Sequence, residues 1–223
     1  MAKNIVGGMS EWSGMLKDLF RQINDGSIGL KEMREFLEHR TKRVVMVFDY
    51  QKFYKEIFNR DVNLPKTESR EGYWMIAVDK GLTHEEAYKA CEKHFKCWKY
   101  ADNLDKSVTQ NDRTSAHGYV VFVKTTVEAD EELKNLSASN QLKDKDKGIK
   151  GITLLERIVL ELFYFWKTGN HLDIENVTLC LGSRRSDGSV PLAGWFSASG
   201  RFGVGWRRAD YSHDALRSRQ AVS

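Results

Sequence analysis

The sequence predicts an α+β protein with an antiparallel sheet toward its C-terminus. Two observations carry that class. Before residue 173, apolar residues recur at helical spacing in several runs. After Asp173 the apolar runs shorten and turn signals separate them, "SDG" at 186–188 and "SASG" at 197–200.

From the N-terminus, "SEWSGMLKDLFRQIND" sets Trp12, Met15, Leu16, Leu19, Phe20 and Ile23 at helical spacing, and Asn24, Asp25 and Gly26 end the helix. Ser27 caps a second helix, "IGLKEMREFLEHR", with Leu30, Met33, Phe36 and Leu37 on one face. Residues 1–42 therefore read as a helical hairpin. Two short helices cannot bury both stripes alone. The hairpin is expected to pack on the body, on a partner, or on a second copy through residues 11–40.

Residues 43–58 start strand-like and become helical, and "YWMIAVD" (73–79) reads as a strand. "GLTHEEAYKACEKHFKCWKY" reads as a helix with a Thr83–Glu86 capping box and a stripe of Ala87, Tyr88, Cys91, Phe95 and Trp98. "GYVVFVKTTV" is a strand and "EADEELKNL" a short acidic helix. "GITLLERIVLELFYFWKTGNH" opens on a Thr153–Glu156 capping box and stops at Gly169 and Asn170. It is apolar nearly all round over residues 158–166, the pattern of a helix buried on more than one side. The strand candidates "VTLCLG", "VPLAGWF", "RFGVGW" and "LRSRQAVS" follow.

A chain of 223 residues supports one full core with an appendage. Hydrophobic residues at 41% and charged residues at 30% describe a globular protein. A net charge of +4 is mild for a dedicated nucleic-acid binder. The Lys-rich run "KDKDKGIK" (143–150) is diluted by Asp144 and Asp146 and reads as a solvated loop. No apolar run approaches the ~20 residues of a membrane span. The first residues lack the apolar core of a signal peptide. Cys91, Cys97 and Cys180 make no disulfide framework. A cytoplasmic, reducing location is expected.

Candidate chemistry is sparse. His84, Cys91, His94 and Cys97 are of zinc-ligand type. On one helix the last three are strung along about 9 Å of axial rise, so they do not converge on a tetrahedral ion. Asn111, Asp112 and Arg113 with His117 are the pieces of a polar active-site loop, but no nucleophile or glycine-rich cradle accompanies them. Glu128, Asp130, Glu131 and Glu132 suit the first turn of a helix better than a cation. "GSRRSDG" has phosphate-binding residue types but no helix after it. No cofactor, metal or catalytic residue is expected.

The C-terminal strands stand out. In "RFGVGWR", Phe202, Val204 and Trp206 alternate with Arg201, Gly203, Gly205 and Arg207, giving one apolar and one open face. Lys and Glu supply 36 of the 223 residues, yet neither occurs after Glu175, where the chain average would place about eight. Seven arginines stand from Ser183 onward instead. Arg, Tyr and Trp carry contact energy at interface centres, while Lys and Glu are depleted there.

From "KACEKHFKCWKYADNLDK" through "EADEELKNLSA", "GITLLER" and "TGNHLDIENVTLC" to the end, the chain resembles a family of uncharacterised bacterial hypothetical proteins. Its C-terminus, with "GSRRSDGSVP", Trp206 and "LRSRQAVS" as framework, is similar to the variable region of diversity-generating-retroelement variable proteins. That resemblance implies a C-type-lectin-like domain whose last strands and loops display diversified residues. Adenine randomisation in codons ending in a pyrimidine cannot produce Lys, Glu or Trp, so the resemblance makes Trp195 and Trp206 fixed positions. Calcium-dependent sugar-binding motifs are absent. The related formylglycine-generating fold uses a cysteine pair, and the C-terminal half holds only Cys180.

The expected architecture is thus a hairpin over 1–42 and a lectin-like α+β domain over 43–223, with two main helices, short antiparallel C-terminal strands and a variable region of about 183–223. The expected function is non-enzymatic binding of a macromolecular partner, a protein before a nucleic acid. Trp195, Phe202, Val204 and Trp206 form the framework. The contact residues are Leu192, Ala193, Gly194, Phe196, Ser197, Ser199, Arg201, Gly203, Gly205, Arg207, Arg208, Tyr211 and His213. Whether Trp195 or Phe196 faces inward is left open, since a one-residue slip exchanges the faces. A nucleic-acid reading would use Arg201, Arg207, Arg208, Arg217 and Arg219 on phosphates, with Trp195, Phe196 or Tyr211 on bases. An enzyme reading would centre on Asn111, Asp112, Arg113 and His117.

Overall fold

The computed structural model describes residues 9–29, 49–65, 67–142 and 150–222. The chain divides into two compact units, Met1–Val47 and Phe48–Ser223. In the first, helix α1 (Met9–Asn24) leaves Leu16, Phe20 and Ile23 exposed. The second helix of the expected hairpin (30–40) and the strand-like residues 43–48 lie outside the described residues.

The second unit is mixed α+β. Its elements run α2 (Tyr50–Phe58), β1 (Tyr73–Val78), α3 (His84–His94), β2 (Cys97–Lys99), α4 (Leu104–Ser107), β3 (Val108–Asn111) and β4 (Tyr119–Lys124). Then come α5 (Ala138–Leu142), α6 (Leu154–Thr168), β5 (Val177–Leu179), β6 (Ser183–Arg185), β7 (Val190–Phe196), β8 (Arg201–Arg207) and β9 (Leu216–Ser218).

Helix α6 is the spine. Thr153 and Glu156 close a reciprocal capping box, and Gly169 ends the helix in the left-handed region at φ 70°. Leu154 to Phe163 are all buried, so the helix is covered on every side. Helix α2 covers part of it with aromatics: Tyr50 stacks on Phe163 at 4.4 Å, and Phe53 meets Phe163 and Trp166 edge-on. The Tyr50 and Tyr54 hydroxyls donate to the carbonyls of Met75 and Ala77, fastening α2 to β1.

Strands β1 and β4 pair antiparallel from Tyr73↔Lys124 to Val78↔Tyr119, and β3 pairs antiparallel with β6. The main sheet has the order β2-β8-β7-β5-β9. Its centre is the β7–β8 hairpin, in register from Val190↔Arg207 to Phe196↔Arg201. The expected antiparallel sheet is in fact mixed, because β2 runs parallel to β8 and β9 parallel to β5. Strand β2 arrives from α3, and β9 returns through the 208–215 loop, so neither enters by a hairpin. The tail then crosses to other layers, where Gln220 bridges Gly151 and Val222 bridges Phe122.

Three other expectations change. Helix α3 stops at His94 because Phe95 is extended at φ −152°, and Trp98 moves from a helical stripe into β2. Thr83 accepts from the Glu86 N–H, but the Glu86 carboxylate pairs with Arg60 at 2.6 Å, so only half of that capping box forms. The acidic run makes only a 3₁₀ turn, Glu131–Leu133, and Glu128 instead accepts N–H groups from Ile174, Glu175 and Asn176.

A buried ionic cluster ties the layers together. Asp173 lies between two guanidinium groups, Arg157 Nε at 2.9 Å and Arg219 Nη2 at 2.7 Å, and accepts the Thr178 hydroxyl at 2.5 Å. Arg157 also pairs with Glu161 at 2.8 Å, and Glu161 meets the His171 ring at 2.8 Å. Arg157, Glu161, Asp173 and Arg219 are all fully buried. Burial alone would raise the Asp173 pKa, but Arg219 and Arg157 hold it below the ordinary carboxylate value. Removing one partner leaves an uncompensated buried charge. Arg219→Met is therefore expected to lower the unfolding free energy by about 3–5 kcal/mol, read from urea denaturation; a change below about 1 kcal/mol would show that the cluster is not structural.

Candidate functional site

The β7–β8 register decides which residues look outward. Partners opposite each other in an antiparallel pair share a face. One face therefore carries Pro191, Ala193, Trp195, Phe202, Val204 and Trp206. It packs on the helical layer: the Trp195 ring stacks on His171 at 3.4 Å, Phe95 meets Trp195 and Phe202 edge-on, and the Arg157 guanidinium lies over Phe202. Trp195, not Phe196, is the inward residue. Phe202 and Val204 are fully buried. Trp206 is half-buried, with the Arg185 guanidinium 4.8 Å from its ring centre.

The opposite face carries Val190, Leu192, Gly194, Phe196, Arg201, Gly203, Gly205 and Arg207. Much of it is covered. Leu192 joins Ala138, Leu179, Leu181, Val190 and Leu216 in a second apolar cluster, with Phe196 and Ala209 against it. The strand-centre contact candidates are thereby corrected: Leu192, Ala193, Gly194, Gly203 and Gly205 are all buried. Ala193 belongs to the inward face, Leu192 to the second cluster, and Gly194 sits against the backbone of Asn176 and Val177. Gly203 lies under the Phe196 ring; a Cβ there would stand 2.5 Å from Phe196 Cε2. Gly205 lies under Tyr100, where a Cβ would be 3.4 Å from Cδ2.

The glycines are thus a floor rather than contacts. Aromatic rings from three places lie on it. Phe196 comes from β7. Trp98 pairs with Gly203 through the parallel β2 register and shares its face. Tyr100 continues that pairing through its N–H to Val204 O and meets Trp98 edge-on at 4.2 Å. Tyr100 is 67% exposed, the most exposed large hydrophobic residue among the described residues. Lys99, facing the other way, is held by Glu85 at 2.5 Å. Trp98 and Tyr100 were missed by the helical reading. Their signal was the alternation Cys97-Trp98-Lys99-Tyr100, which is period two and not 3.6.

Arginines flank this strip. The Arg201 guanidinium lies 5.9 Å from the Trp98 ring centre and donates to Ser199 Oγ. Arg207, about 20 Å away along the strand at ~3.3 Å per residue, lies over Tyr211 and donates to Trp206 O. Both are exposed, and neither has a carboxylate partner among the described residues. Arg208 is paired with Asp210 at 2.7 Å. Ser197, Ser199, Arg208, Tyr211 and His213 are exposed in two loops at opposite ends of β8, so the candidates form two groups joined by the aromatic strip.

The rival constellations disperse. Arg219 is buried on Asp173, and Arg217 is held by Glu131 and Ala129 O, so neither reaches a phosphate. Arg113 makes a two-pronged pair with Glu156 at 2.6 and 2.8 Å, and Asn111 Oδ1 accepts the Ser183 hydroxyl. Asp112 and His117 are exposed and do not share a cleft with them. Cys91 is a core residue whose thiol pKa burial pushes well up, His84 sits against Asp105, and Cys97 lies on β2. Among the described residues no three His, Cys, Asp or Glu groups converge as a metal site, and no helix is long and apolar enough to cross a membrane. No family model, curated protein or solved structure matches the chain.

Proposed function

We propose that the protein is a non-enzymatic binding module that engages a protein partner through the strip Trp98, Tyr100 and Phe196 and the flanking Arg201 and Arg207. The observation that carries this reading is the pair of exposed guanidinium groups without carboxylate partners among the described residues, set at the two ends of an aromatic strip built over Gly203 and Gly205. Rigid aromatic rings and arginines supply most of the energy at interface centres. These two arginines, exposed and facing no carboxylate among the described residues, favour a partner surface bearing carboxylates. In the lectin-like, retroelement-diversified reading, Ser197, Ser199, Arg208, Tyr211 and His213 are the loop positions that vary, and Trp195, Phe202, Val204 and Trp206 are the frame.

Two outcomes test the proposal. A photo-crosslinking residue at position 100 or 211 in the full chain is expected to capture one protein in the host cell. Arg201→Glu with Arg207→Glu should weaken that capture about tenfold or more, as lost charge complementarity does. Capture that ignores both arginines would refute the reading; binding to single-stranded DNA that falls steeply with salt would favour nucleic acid instead. Diversification is read at the gene. A near-copy of its 3′ coding segment, differing at adenines and beside a reverse transcriptase gene, is the expected finding, and flanks lacking both would remove that part of the proposal.

A further inference from the structure

The two edges of the main sheet are finished differently. At the β9 edge the outward carbonyls of Leu216 and Ser218 accept N–H groups from Asn135 and Asp130. The β1–β4 pair is closed in a similar way. The Met75 and Ala77 carbonyls of β1 take the Tyr50 and Tyr54 hydroxyls, and Phe122 of β4 exchanges backbone bonds with Val222. Strand β2 is the other edge of the main sheet, and β8 is its only strand neighbour. Lys96 O accepts the Phe202 N–H, and the Tyr100 N–H donates to Val204 O. In a parallel ladder alternate residues turn their backbone groups to the same side. Lys96, Trp98 and Tyr100 therefore face β8, while Cys97 and Lys99 turn N–H and C=O away from the sheet. Among the described residues no hydrogen bond engages those outward groups.

Proteins blunt an open edge with a bulge, a proline or a charged side chain, or by keeping it short. Strand β2 is short, at three residues, but its register on β8 is unbroken and it holds no proline. Its one charged residue, Lys99, is drawn to the inward side by Glu85 at 2.5 Å. The side chains beside the edge say what kind of strand fits. Phe95 packs inward on Phe202, so alternation puts Lys96 with Trp98 and Tyr100 on the outer face. Lys96 is exposed and, like Arg201, faces no carboxylate among the described residues. The Arg201 guanidinium lies 5.9 Å from the Trp98 ring centre, leaning from β8 toward β2. An added strand would lie about 4.8 Å beyond β2, within reach of both cations.

Resting on the protein-binding reading of the strip, we propose that the β2 edge takes up an extended segment of the partner protein as an added strand, one that carries Asp or Glu on the side of Trp98 and Tyr100. The backbone groups of Cys97 and Lys99 pair with the segment, and its alternate side chains lie along the two rings. Its carboxylate meets Lys96 and Arg201. So short an edge makes few backbone bonds, each of modest net worth, so the rings and the two cations carry the specificity. A second copy's β2 is a poorer occupant, because Cys97–Lys99 brings no carboxylate.

The test pans displayed linear peptides of random sequence against the full chain. Peptides with Asp or Glu at alternate positions are expected to be enriched. In one enriched peptide, backbone N-methylation at successive residues should weaken binding about tenfold at every second position and little between them. On saturation, the amide resonances of Cys97 and Lys99 in the labelled protein should shift. Cys97→Pro removes an outward N–H and no ladder bond, and is expected to weaken binding about tenfold; the N-methyl series leaves the protein untouched and decides the matter if that variant does not fold. No enrichment of acidic peptides, or N-methyl effects without alternation, would overturn the proposal. Shifts at the Trp98 and Tyr100 rings with the Cys97 and Lys99 amides silent would overturn it and leave the strip as a binding face. Silence at the rings as well would remove both. Self-association that broadens the Cys97 and Lys99 amides would give the edge to a second copy and overturn the proposal.

Discussion

The Asp173 carboxylate, closed between Arg157 and Arg219, is the constraint on which the rest of the second unit depends. Its ligands come from α6, from the tail after β9 and, through Thr178, from β5. The residue adopts a positive φ of 53°, uncommon for a non-glycine residue, so the chain turns sharply there to place the carboxylate. Two arginines and two acids, Glu161 and Asp173, make the fully buried set neutral. Burial of Arg157 opposes its charge, yet Asp173 and Glu161 raise its pKa further still. A buried charge set of this kind tolerates neither a missing member nor a shifted one.

That rigidity explains where freedom is found. Arg219 also donates to the carbonyls of Thr126 and Val127, and the tail ends paired with Phe122. The strand that closes the sheet is thus locked on three sides. The inward face of β7 and β8 is locked as well, through Trp195 on His171 and Phe202 under Arg157. What remains outside these bonds is the hairpin tip, the 208–215 loop and the outer edge of β2. The exposed contact candidates all lie there or at the ends of β8.

The sequence makes some of this readable and some not. Helix α6 is legible because its cap, apolar stretch and Gly169 stop are all local signals. The inward set Phe202, Val204 and Trp206 follows from alternation within one strand. The outward set does not, because what covers it comes from elsewhere: Phe196 lies over Gly203, and Tyr100 over Gly205. Local composition makes Gly203 and Gly205 look open, whereas distant rings make them buried. Arg217 and Arg219 look like free cations for the same reason; their acids, Glu131 and Asp173, stand far away in the chain. The end of α3 has no Gly or Pro to announce it, so only the alternation around Trp98 marks the change to strand.

The central claim is that a charge-locked frame carries a surface free to vary. The direct measurement is a saturation scan of residues 173–222 in the full chain, scored for protease-resistant folding. The account predicts broad tolerance at Ser197, Ser199, Arg201, Arg207, Arg208, Tyr211 and His213. It predicts near-intolerance at Asp173, Trp195, Phe202, Val204, Gly203 and Arg219. Equal tolerance in the two sets, or large side chains accepted at Gly203 with Phe196 in place, would contradict it.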